Sequence, residues 1–145
     1  NSQFGETKDV CINEVLSRYT NDYLEVYDYR DIKLDVQQKG HFWVVMNETL
    51  SVVLVTNLLK NAFVHNINKG VIRIEVDAAS IRFGNTGTGT PLDEKHVFER
   101  FYQGAKKKEG STGLGLAIVD AICRQCSLKI RYYFSQDMHW FEVSR

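Results

Sequence analysis

The sequence has a single proline in 145 residues, no surplus of either charge and no long hydrophobic run. With no low-complexity tract, repeat or proline-rich linker to divide it, one domain over residues 1–145 is expected. Eighteen Lys and Arg balance 18 Asp and Glu. The basic excess by which proteins hold nucleic acid or an anionic membrane is therefore missing. No apolar stretch approaches the roughly 20 residues a membrane helix needs, and no signal-peptide pattern opens the sequence. The expectation is a soluble, cytoplasmic piece with no direct membrane contact, compatible with the inner part of a membrane receptor. Cysteine is scarce and odd in number, three in all, which does not build a secreted disulfide framework. Cys123 and Cys126 form one C-x-x-C spacing, but without a second pair it reads as a helix-end coincidence rather than a metal or redox site.

An apolar content of 43% is enough to fill a core. Val10 to Ile12 suggests a short strand, and 14–27 a helix burying Val15, Leu16, Tyr19, Tyr23 and Val26 at helical spacing. Ile32 to Val36 alternates with period two, and after a turn at Lys39-Gly40 the segment 41–46 reads as its antiparallel partner. Asn47 can cap a long helix running to about His65. Strands at 71–76 and 80–83 form a second pair, with Ile72, Ile74 and Val76 spaced for burial. Pro91 suits the first turn of a short helix capped by Thr90, carrying Val97, Phe98 and Phe101. The stretch 104–112 is too rich in Gly and Lys to be core. A further helix is expected from near Gly113 to near Cys126, then strands at 128–134 and 139–143. Strand pairs separated by helices give an α+β, two-layer α/β sandwich with the helices on one face.

Several residues do not fit a purely structural role. Asn57 and Asn61 lie four apart, on one helix face with Leu50, Val53 and Val64. Amides in an apolar stripe need partners, and Asn is a mediocre helix former. Either they bond to neighbouring backbone or they hold a ligand or metal, and as a pair they favour the second. Amide oxygens are hard neutral donors that suit Mg²⁺. Asn85-Thr86-Gly87-Thr88-Gly89 follows a strand directly. Its glycines admit close backbone approach and its Asn can read a base edge, although Asn-Thr-Gly also describes ordinary turns. Gly110-Ser111-Thr112-Gly113-Leu114-Gly115-Leu116 runs straight into a helix start. Free N–H groups and the positive helix end form an anion site there, the alternative being a flexible loop capped by a helix. It is neither a P-loop nor a dinucleotide fingerprint. Of Lys106-Lys107-Lys108 at least two read as a solvated face, which leaves one, Lys106 for choice, within reach of a terminal phosphate.

Together these segments resemble the four boxes of the histidine kinase ATPase domain, in the wider family shared with gyrase-type and chaperone ATPases. Asn57-Leu58-Leu59-Lys60-Asn61-Ala62 is similar to the N box, and 85–89 to the first glycine box. Phe98-Glu99-Arg100-Phe101-Tyr102 is similar to the F box, and 110–116 to the second glycine box. Order and spacing agree over residues 57–119. The resemblance implies a Bergerat fold, with a mixed, largely antiparallel sheet and ATP between the long helix and a mobile lid. It implies Mg²⁺ at Asn61 assisted by Asn57, and adenine at Asn85 with Gly87 and Gly89 admitting the ring. Ser111, Thr112, Gly113, Leu114 and Gly115 would surround the phosphates. Arg100 would orient the lid or a phosphate, or serve as an ion-pair residue. The implied activity is that of a protein-histidine kinase domain, moving the γ-phosphoryl group of ATP to a histidine on a separate dimerisation domain of a homodimeric parent. A response regulator would be its further partner.

The sequence departs from the family pattern at three points. Asn85 replaces the usual adenine-binding Asp. Val64 stands where many relatives carry a phosphate-contacting Lys. None of His41, His65, His96 and His139 sits before an acidic residue on a dimerising helix, so the phosphoacceptor is expected on another segment. Other readings are a degenerate nucleotide-binding regulatory module, which Val64 and Asn85 favour, and an anti-sigma-type protein-serine kinase. A gyrase-type clamp is disfavoured, because no carboxylate stands at position 57 to activate water.

Overall fold

A computed structural model describes residues 5–100 and 114–145. Strand β1 (Lys8–Cys11) leads into helix α1 (Ile12–Val26), and a single 3₁₀ turn (Asp28–Arg30) precedes β2 (Lys33–Gln38). Strand β3 (Trp43–Met46) is followed by the long helix α2 (Glu48–Val64), then β4 (Val71–Val76) and β5 (Ser80–Asn85). Helix α3 (Gly115–Gln125), β6 (Lys129–Ser135) and β7 (Met138–Ser144) complete the described chain.

A five-stranded sheet runs in the order β2-β4-β5-β7-β6. Only β2 and β4 are parallel; the other neighbours are antiparallel. One sheet face supplies Ile72, Ile74, Ile81, Phe83, Phe141 and Val143 to a core closed by Leu16, Leu54, Leu58 and Val119 from the helices. The other face carries charge, including ion pairs Arg82–Glu75 and Arg131–Glu142. This is the expected two-layer α+β architecture, helices on one side.

The expected antiparallel pairing of β2 with the 41–46 segment is not formed. β3 pairs instead with β1, Val10 opposite Val44. β2 lies parallel to β4, Leu34 opposite Ile72. Parallel neighbours need a long crossover, and α2 lies in it. The cause of the diversion is Asn13, only 2% exposed at the start of α1. Its Nδ2 donates to the Gly40 carbonyl and to Gln38 Oε1, both at 2.9 Å, and its Oδ1 accepts from Phe42 N at 2.9 Å. The 38–42 segment is thereby tied to α1, and the chain is carried towards β1 rather than folded back on β2.

Smaller differences have equally local causes. Val26, expected in the core, is 64% exposed at the last turn of α1. Its place is taken by Tyr27, whose ring stacks on Phe63 at 5.2 Å. No helix follows Pro91 within the described residues; 94–100 is a series of turns. The turns start at Asp93 rather than Thr90: Asp93 Oδ1 accepts from Lys95 N at 2.9 Å, and its carbonyl accepts from His96 N and Val97 N. Val97 is buried as expected, and Phe98 packs edge-on to Phe141 at 6.1 Å. α2 begins where its cap predicted, with Asn47 Oδ1 accepting from Leu50 N at 3.1 Å.

Candidate nucleotide site

Helix α2 presents Asn57 and Asn61 on one face, both half-buried. Asn57 Nδ2 donates to the Val53 carbonyl one turn earlier, at 2.8 Å. Its Oδ1 points at the first residue of α3: a Cβ on Gly115 would stand 3.0 Å from it. A side chain at Gly115 would crowd that oxygen where the end of the second glycine loop meets the N-box helix. Asn61 has no side-chain hydrogen bond among the described residues. A half-buried amide with open valences beside a second amide oxygen is a donor set that fits a hard divalent cation such as Mg²⁺. Val64, where the family resemblance leads one to expect Lys, is buried at 7% exposure.

Strand β5 ends at Asn85, 1% exposed on the core face. Its Nδ2 donates to the Thr86 carbonyl at 2.8 Å. A carbonyl only accepts, so this contact fixes the amide orientation and leaves Oδ1 as the open acceptor. Gly87 lies tightly packed: a Cβ there would come within 3.1 Å of the His65 carbonyl and of His139 Cδ2. At Gly89 a Cβ would meet nothing within 4 Å. The two glycines of this loop therefore differ, one required by packing and one facing open space.

The position of the loop relative to α2 is set by Asn66, which sequence reasoning did not single out. Buried just past the helix, Asn66 donates to the Ala62 and Val71 carbonyls at 3.2 and 3.1 Å. Its Oδ1 accepts from Ile67 N at 2.8 Å and from the Thr86 hydroxyl. That hydroxyl in turn accepts from Val71 N at 2.9 Å. One amide so fastens the end of α2, the start of β4 and the end of β5. The available signal was weak, a lone Asn after a helix being an ordinary terminator.

Arg100 is exposed and takes part in no ion pair among the described residues. Leu114 caps α3 in helical backbone, its carbonyl accepting from Ile118 N. Lys106, Ser111, Thr112 and Gly113, with the expected lid, lie outside the described residues. Cys123 and Cys126 are free. Burial pushes the Cys123 thiol up to about 12 and also raises Cys126, so neither is a ready thiolate. Among the described residues no cluster of His, Cys, Asp and Glu suits a metal, and no helix is long and apolar enough to cross a membrane.

Residues 46–142 match the family described as histidine kinase-, DNA gyrase B- and HSP90-like ATPase. The chain belongs to this family. Membership implies an ATP site, and all four boxes lie within the matched span. Sensor histidine kinase RppB of Synechocystis sp. is 34% identical over 122 residues, covering 77% of this chain and 27% of its own length. The solved mycobacterial sensor histidine kinase MprB is 22% identical, covers 94% of this chain and 95% of its own, and superposes with a TM-score of 0.81. Histidine kinase ThkA in complex with response regulator protein TrrA is 20% identical, covering 94% of this chain and 40% of its own, with a TM-score of 0.73. The chain spans about a quarter of the length of RppB and a similar share, 32%, of the sensor-like kinase SenX3 of Mycobacterium bovis.

Proposed function

We propose that this domain binds Mg-ATP and serves as the catalytic module of a two-component sensor histidine kinase. The observation that carries the reading is the α2 face, where Asn61 has unused valences and Asn57 directs its oxygen to the helix start at Gly115. Asn61, assisted by Asn57, would hold Mg²⁺, which when bound neutralises phosphate charge. The N–H groups at Leu114 and Gly115, with Ser111, Thr112, Gly113 and Lys106 of the preceding loop, would hold the phosphates. Asn85 Oδ1 would accept from the adenine amine, with the open side of the loop at Gly89 admitting the ring. Exposed Arg100 is left for the lid or a phosphate.

Phosphoryl transfer depends mainly on alignment and charge neutralisation. Here a histidine nitrogen of a separate dimerisation domain would attack the γ-phosphorus as the bond to the β–γ bridging oxygen breaks, releasing ADP. The response regulator would then take the phosphoryl group, a partnership supported by the ThkA–TrrA complex. The parent would be a homodimer whose kinase part works in the cytoplasm. A second reading, a module that binds nucleotide without transferring phosphate, is favoured by buried Val64 in place of a lysine. Incubating the domain with γ-labelled ATP, alone and with a histidine-bearing dimerisation segment, separates the two. Acid-labile label on the added segment, and none on the domain alone, is the expected result. Nucleotide binding without label supports the second reading, and acid-stable label supports a serine kinase.

A further inference from the structure

Beyond the four boxes, side chains of β6 and β7 hold the first glycine loop. His139, 5% exposed on β7, is the register partner of Asn85. Its Nε2 lies 2.8 Å from the Thr88 carbonyl, and its Nδ1 lies 2.7 Å from the Tyr132 hydroxyl on β6. The same hydroxyl accepts from Leu92 N at 2.9 Å. A carbonyl can only accept, so Nε2 carries the proton, and Nδ1 is joined to the Tyr132 hydroxyl. The His139 ring also walls Gly87, whose missing Cβ would stand 3.1 Å from Cδ2. It stacks on Tyr132 at 5.9 Å and meets Phe134 edge-on at 5.0 Å. The loop is thus held at Gly87, Thr88 and Leu92 by two side chains on strands without any motif.

We infer that His139 and Tyr132 are positioning residues for the nucleotide base, shaping the 86–92 loop so that Asn85 Oδ1 stays open to a purine amine. This rests on the ATP-site reading above. The pair touches the loop backbone rather than the ligand, so its contribution acts through the loop's shape. A hydrogen bond lost at Leu92 or Thr88 lets that backbone sample other conformations, and nucleotide binding must then restore the competent one.

Two measurements on the same proteins test this: Mg-ADP affinity by calorimetry well below the melting temperature, and hydrogen exchange at amides 87–92 without nucleotide. Tyr132→Phe keeps the ring and removes only the hydroxyl. It is expected to speed exchange at Leu92 and to weaken ADP by up to about tenfold, the size of one lost hydrogen bond. His139→Leu should do the same, whereas His139→Gln, which retains a donor near the Nε2 position, should recover most of the affinity. A purely structural role would lower the melting temperature of all three and leave the affinity of the folded protein unchanged. If His139→Leu does not fold, Tyr132→Phe decides alone. Wild-type affinity in Tyr132→Phe overturns the inference while leaving the ATP site standing, and so does faster exchange without weaker binding. Failure of the wild-type protein to bind ADP overturns both.

Discussion

Asn66 and Asn61, a little over one helical turn apart at the end of α2, use the same side chain in opposite ways. Asn66 is buried and bonded at both ends, to Ala62, Val71, Ile67 and Thr86. Asn61 is half-buried and its side chain is bonded to nothing among the described residues. Asn13 repeats the first pattern in β1–α1, and Asn57 falls between the two, one end tied to Val53 and the other turned to Gly115. Hydrogen-bond saturation, more than burial, separates an amide that builds the fold from one left for a ligand. Saturated amides should lose stability when truncated, and the unsaturated one should lose only binding.

The largest effect is expected at Asn66. Asn66→Ala leaves the Ile67 N–H and the Ala62 carbonyl short of a partner, the Val71 carbonyl keeping Thr86 N, and should cost about 3 kcal/mol in urea unfolding. Asn13→Ala should cost about 2 kcal/mol by releasing Phe42 N–H and the Gly40 carbonyl. A loss below about 0.5 kcal/mol at either site would break the distinction. Asn85→Leu sharpens it inside the site: the bond to Thr86 disappears with the open acceptor. Nucleotide titrations should show a lower ATP/GTP affinity ratio, and an unchanged ratio with the fold intact would make Asn85 a turn residue only.

Exposure scales these effects down. Asp77, in the β4–β5 turn, accepts from Ala79 N at 2.8 Å and Ser80 N at 2.9 Å, and those bonds hold its pKa below the usual carboxylate value. Its contribution is present above the unfolded pKa and is lost as pH falls through the lower folded one. Being exposed, Asp77→Ala should cost about 1 kcal/mol or less at neutral pH, and the loss should shrink in acid. The smallest effect belongs to fully exposed His96, whose pKa is raised by its bond to Glu99 Oε2 at 2.7 Å and by the charges of Glu99 and Asp93. That contribution is complete below the unfolded pKa and fades as pH rises through the higher folded one. Unfolding curves of wild type and His96→Ala should therefore differ slightly at acid pH and coincide at alkaline pH.

Much of this was legible in the sequence because it is local. Asn47 caps α2 where an Asn before an apolar helix should, and the alternation of Ile72, Ile74 and Val76 gives β4 its buried face. The partner of β3 was not legible, because Asn13 decides it by reaching segment 38–42 from another element. Thr90 is the cap that composition suggests after a glycine loop, but the backbone bonds start a series of turns at Asp93 instead. In the site, spacing put Asn57 and Asn61 on one face, but it does not tell a saturated amide from an open one. His139 and Tyr132 escaped for the opposite reason. They sit at core-facing strand positions, where a polar group needs a partner, and nothing local names that partner as the glycine loop.

The central claim is that Asn61 is left open for a metal-bound nucleotide. Asn61→Ala with calorimetry and thermal unfolding tests it most directly. The account predicts unchanged or slightly raised stability, since Ala is the better helix former by about 0.5 kcal/mol, together with loss of the Mg²⁺-dependent part of ATP affinity. Unchanged Mg-ATP binding in a folded Asn61→Ala protein would contradict it.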